Sequence, residues 1–127
     1  MMTAEYEEAA DLLETIWRGI PVDYKSRYRL SIWQQFEDQV RSAAYTSNLG
    51  KFVSSLCQKL GATVGRNQAE RQQAFAVLGK ARAGPLLKLM REETTLLVLM
   101  VRVRQQKRRE AWQAEHEILN KIEKEAI

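Results

Sequence analysis

The chain has 127 residues, 45% of them apolar and 28% charged, enough for one ordinary domain with a core and too apolar for a disordered segment. One cysteine, Cys57, excludes an internal disulfide and a multi-cysteine zinc site, so the expected setting is a reducing, cytoplasmic one. The net charge is +4, a modest total that hides a strongly basic middle between two acidic ends.

Residues 3–18 have the spacing of a helix. Tyr6, Ala9, Leu13, Ile16, Trp17 and Ile20 recur at three and four positions and make one apolar face. The acids Glu5, Glu7 and Glu8 fall in the first turns, where the helix dipole favours them, and Gly19 and Pro21 end the segment. An acidic, non-apolar start is also the opposite of a secretory signal. The acidic face has two readings: complementation of the dipole with added solubility, or a docking surface for a basic neighbour such as another copy of the chain.

A second helix is expected from about Tyr24 to Tyr45, capped by Asp23 or Ser26. Leu30, Trp33, Phe36, Val40 and Ala44 trace its buried stripe. Lys25, Arg27 and Arg29 crowd its start, against the dipole, interleaved with Tyr24 and Tyr28. Aromatic rings beside bases suit base stacking with phosphate contact; equally, the two tyrosines can half-bury against a bundle.

A third helix, 48–60, runs through Leu49, Phe52, Val53, Leu56 and Leu60 to a stop at Gly61, with Cys57 beside the stripe as a small core residue. The loop GATVGRN (61–67) matches neither the P-loop nor the dinucleotide fingerprint and reads as a turn. Asn67 and Glu70 resemble a capping arrangement for a fourth helix, 68–82, with Arg71, Ala74, Phe75, Leu78 and Ala81 as its stripe. Gly84-Pro85 then separates it from the last segment. A helix–turn–helix over 68–95 is possible, but nothing fixes a recognition helix.

Leu86 to about Lys124 reads as one long helix, about 58 Å at 1.5 Å per residue, with a bend allowed near Gln105. A short strand over Thr94 to Arg104 is the rival reading, because Val-Arg-Val-Arg alternates there; no second strand candidate exists to pair with it. The longest apolar run, residues 96–101, is six residues, against roughly 20 needed to span a bilayer. The fold expected is therefore all-α: a single compact bundle over 1–127, of about five helices, with a long C-terminal helix.

Residues 1–23 carry six acids and one base, residues 24–109 seventeen bases and five acids, and residues 110–127 five acids and two bases. Such a basic middle is the footprint of a surface facing phosphates. The candidate contacts are Lys25, Arg27 and Arg29; Lys51, Lys59 and Arg66; Lys80, Arg82, Lys88 and Arg91; and Arg102, Arg104, Lys107, Arg108 and Arg109. The last group, five bases in eight residues, leads. Separate clusters without a compact recognition motif suit tracking a sugar-phosphate backbone more than reading bases.

Catalysis finds little support. His116, the one histidine, lies in AEHEIL far in sequence from Cys57, and the adjacent pairs Glu37-Asp38 and Glu92-Glu93 point in different directions on a helix. No enzyme activity, metal or cofactor is expected.

The helix LSIWQQFEDQV (30–40), the helix LGKFVSSLCQKLG (49–61) and the long LLVLMVRVRQQKRREAW (96–112) together make the chain resemble the small subunits of CRISPR interference complexes, type I-D or I-B in particular. The likeness is one of pattern over most of the chain; the family has no invariant motif, so no residue role is carried over. It implies a non-catalytic protein present in more than one copy along the crRNA-bearing subunits, holding the guide–target duplex or the displaced DNA strand through its basic face. The acidic first helix would then contact another copy or subunit. Two other classes stay open: a stand-alone DNA-binding regulator or phage-borne inhibitor, dimeric through the 96–101 patch, and an adaptor whose bases meet an acidic protein partner.

Overall fold

A computed structural model describes residues 4–65, 68–69, 71–72, 75 and 83–126. Among these the architecture is an all-α bundle with a long C-terminal helix and no strand. Its helices are α1 (Ala4–Arg18), α2 (Val22–Arg27), α3 (Ile32–Ala43), α4 (Leu49–Leu60), α5 (Ala83–Glu92) and α6 (Thr94–Glu125). The helix expected over 68–82, its Asn67–Glu70 cap and most of the helix–turn–helix reading lie largely outside the described residues.

Helix α3 occupies the middle. It packs on α4, α5 and α6, while α1 closes the other side of α6 and touches α5. Each helix but α2 turns in the stripe its spacing dictates: Leu12, Leu13, Ile16 and Trp17 from α1; Ile32, Phe36 and Val40 from α3; Phe52, Leu56 and Leu60 from α4; Leu86 and Met90 from α5; Leu97, Val98 and Val101 from α6. These residues belong to one contiguous buried cluster. Each large side chain so buried contributes about 1.5–3 kcal/mol relative to exposure.

The expected second helix is two. Tyr28–Ser31 is a turn between α2 and α3, and neither Asp23 nor Ser26 caps: α2 follows Pro21, and α3 follows Ser31 with no side-chain cap bond. The break folds α2 back, so that the Tyr24 hydroxyl donates to Gln35 Oε1 at 2.8 Å. In one straight helix those residues would sit about 16 Å apart along the axis. The turn also rotates Leu30 out of the stripe, leaving it 98% exposed, and leaves Trp33 half-buried.

Helix α4 follows its sequence signals closely. Asn48 Oδ1 accepts from the Lys51 amide at 2.8 Å, and Gly61 ends the helix in the left-handed region at φ +62°. The loop beyond it is a packed turn. Ala62 and Val64 are buried, and the Thr63 amide donates to the Gly19 carbonyl at 3.3 Å. A Cβ on Gly19 would lie far inside van der Waals contact with the Thr63 backbone, so this glycine permits the close approach as well as ending α1.

The last segment is interrupted at Glu93, and the helix runs unbroken through Gln105. Helix α5 begins at Ala83, which puts Pro85 in its first turn, where its missing N–H costs nothing. The Thr94 hydroxyl donates back to the Met90 carbonyl and to that of Arg91, and such back-bonding bends a helix. The ladder still bridges the kink, with Glu93 N–H to Leu89 O at 2.8 Å and Leu97 N–H to Glu93 O at 2.9 Å. Residues 94–104, the rival strand, are helical. No helix among the described residues is long and apolar enough to cross a membrane.

Candidate nucleic-acid interface

The cluster from Arg102 to Arg109 does not act as one group, because a helix sends its members to different sides. Arg104 and Arg108 face α1. Arg104 pairs with Asp11 at 2.7 Å, with Glu14 at 3.3 Å and with Glu7, and Arg108 pairs with Glu14. Glu14 is only 4% exposed and also accepts from Gln105 Nε2 at 3.3 Å. Positions 7, 11 and 14 lie on one face of α1, so its acids form a row against a row of bases. Partial burial works to lower the Arg104 pKa, but Asp11, Glu14 and Glu7 outweigh it and the net shift is upward. The basic neighbour sought by the acidic helix is therefore α6 of the same chain, for Glu7, Asp11 and Glu14. Arg104 and Arg108, two of the expected phosphate contacts, are thus engaged by acids of α1.

Arg102 and Arg109 take the other side. With Trp33, Leu99, Val103 and Gln106 they line a shallow open groove of about 410 Å³ between α3 and α6. Among the described residues no carboxylate lies within ion-pair distance of either arginine. Trp33 stacks on Trp17, with ring centroids 3.7 Å apart and planes at 12°, and Phe36 meets the Trp33 ring edge-on at 6.3 Å. The Lys25 ammonium sits 4.9 Å from the Trp17 centroid, a cation–π contact. Contacts thus run from Lys25 of α2 through Trp17 to Trp33, which shares the groove with the two arginines of α6. Arg27 is exposed at the end of α2 and Arg29 in the turn that follows. Tyr24 and Tyr28 are half-buried against the bundle with their rings 4.7 Å apart, and burial first, then Tyr28, pushes the Tyr24 phenol pKa up.

The remaining candidates are dispersed. Lys51 and Lys59 are exposed on α4, which packs on α3 and α5. Lys88 is exposed on α5 and Lys107 on α6. Arg91 is used internally: its guanidinium donates to the Ala44 carbonyl at 2.9 Å and lies 5.7 Å from the Tyr45 ring centroid. Arg66, Lys80 and Arg82 lie outside the described residues. The twelve described positions do not form one track: Arg102 and Arg109 line one groove with Trp33, and Lys25 is reached through Trp17.

Trp33, Trp17 and Gln106 were not among the expected contacts. For Gln106 a signal existed: Leu99, Arg102, Val103, Gln106 and Arg109 recur at three- and four-residue spacing, a second face beside the buried one. Cys57 is half-buried on α4, and burial pushes its thiol pKa up. His116 stacks on Trp112 at 3.9 Å, in the exposed part of α6. Among the described residues no three His, Cys, Asp or Glu side chains gather as metal ligands.

No protein-family model matches the chain, and neither curated proteins nor solved structures give a significant match.

Proposed function

We propose that the protein binds nucleic acid without catalysing a reaction on it, as a small subunit of a CRISPR RNA-guided interference complex. In that role it holds the guide–target duplex or the displaced DNA strand by backbone contacts. One observation carries the reading: Arg102 and Arg109 line an open groove with Trp33, and among the described residues no carboxylate lies within ion-pair distance of either. Two uncompensated guanidinium groups are spaced along one helix face beside an aromatic ring, which supplies phosphate contacts and a stacking surface together. That pairing favours the displaced single strand, whose bases are free to stack, over the duplex. The complex itself is suggested by the sequence likeness of 30–40, 49–61 and 96–112, and by nothing else.

Tryptophan fluorescence tests the reading, since Trp33 lies in the groove. Titration with an unstructured single-stranded oligonucleotide should quench the emission saturably, and Arg102→Ala with Arg109→Ala should weaken the binding about tenfold or more, while Lys51→Ala with Lys59→Ala changes it little. Because base–aromatic stacking contributes about 1–3 kcal/mol per base, single strands should quench more than duplex of the same length. Quenching that survives the arginine pair unchanged would remove this groove from the account.

A further inference from the structure

Helix α6 is 32 residues long, about 48 Å, and only its first half has anything to pack on. Thr94, Val98 and Val101 are buried and Gln105 is half-buried. Those positions alternate by four and three residues, the spacing of a coiled-coil seam. The same spacing puts Trp112, Leu119, Ile122 and Ala126 on that face, with the charged Arg108 and Glu115 at the other two positions. Every residue from 106 to 126 is exposed. Trp112, Ile118, Leu119 and Ile122 stand 58%, 59%, 56% and 55% exposed, even with His116 stacked on Trp112. The sequence thus keeps writing a seam for about 30 Å past the end of the bundle. The 96–101 patch, the dimer surface of the regulator reading, is by contrast largely used inside the bundle, with Leu97, Val98 and Val101 buried.

We infer that this extension pairs antiparallel with the same segment of a second copy. Charge selects both occupant and orientation. Residues 102–109 carry five bases and no acid, and residues 110–125 carry five acids and two bases. An antiparallel pair centred near residue 116 sets Lys107, at the end of each copy's basic stretch, beside the other's Glu123 and Glu125; a parallel pair sets like on like. Lys107 has no carboxylate within ion-pair distance among the described residues and is available for this contact. The apolar groups agree: Trp112 lies toward one end of the seam and Leu119 and Ile122 toward the other, so each indole meets aliphatic side chains of the opposite copy. The contact is two-fold symmetric and closes on itself, giving a dimer and not a filament.

The inference stands apart from nucleic-acid binding and is tested without nucleic acid. Light scattering on nuclease-treated full-length protein should give a dimer at tens of micromolar. Trp112→Ala with Leu119→Ala should weaken association at least tenfold, with helix content unchanged because neither side chain is in the core. Orientation is read in a Cys57→Ser background. His116→Cys, near the two-fold axis, should form an intermolecular disulfide readily; Ala126→Cys, held about 30 Å from its counterpart in an antiparallel pair, should not. A chain monomeric throughout that range, a dimer indifferent to the Trp112 and Leu119 changes, or equal cross-linking at 116 and 126 overturns the inference.

Discussion

Glu14 and Arg104 meet across the α1–α6 junction, with Nη1 3.3 Å from Oε2. The carboxylate is almost wholly buried and takes a second guanidinium, that of Arg108, and the Gln105 amide. This one acid fixes which bases of the 102–109 run belong to the fold and which are left for a ligand. Arg104 and Arg108 turn toward α1; Arg102, two residues and so about 200° around the helix from Arg104, turns to the groove.

Removing the buried partner should therefore be costly. Glu14→Ala strips its acceptor from a cluster of donors, and we expect a loss of about 2 kcal/mol, below the range for a fully buried pair because Arg104 and Arg108 keep some solvent. Urea unfolding of Glu14→Ala, Arg104→Met and the double variant checks it. The double variant should lose less than the two single losses combined; strict additivity would mean the contact contributes nothing of its own.

Two glycines should respond with opposite signs. Gly19→Ala drives a methyl into the Thr63 backbone and should destabilise by about 2 kcal/mol or more. Gly50 lies inside α4, where an added Cβ meets only Asn48 Oδ1 at 3.4 Å. Gly50→Ala should be neutral to stabilising by about 0.5–1 kcal/mol, since alanine is the better helix former. Thermal melts of both decide it, and a harmless Gly19→Ala would contradict the close approach described.

Burial raises the Cys57 thiol pKa, because the charged thiolate is the form that loses hydration. The folded value lies above the unfolded one, so the stabilisation this group gives is present at lower pH and is lost as pH rises through the folded pKa. Iodoacetamide alkylation followed against pH should show its inflection at higher pH in native protein than in urea. An equal or lower native inflection would contradict the burial.

Much of the fold was legible in the residues. The α4 helix could be read from Asn48 to Gly61, because cap, stripe and stop agreed. The α2–α3 break could not. Leu30 fits the period of a helix running from Tyr24, and only the contact of Tyr24 with Gln35, invisible in local spacing, shows why the chain turns. The kink at Glu93 has a similar origin in one hydroxyl, that of Thr94, bonding back to the previous turn. At the candidate site, charge counting found the bases but not their use. Density of arginine along a helix says nothing of which face meets the acids of α1, and Arg104 and Arg102 differ only in that. Trp33 was read as core because its spacing places it beside Phe36; half of it is a wall of the groove.

The most direct measurement of the central claim is the salt dependence of oligonucleotide binding, wild type against the Arg102→Ala, Arg109→Ala pair. Each phosphate contact on a single strand contributes about 0.7 to the slope of log affinity against log salt. The account predicts a slope shallower by about 1.4 for the pair, with equal weakening on every base sequence. The same slope in both proteins would contradict it.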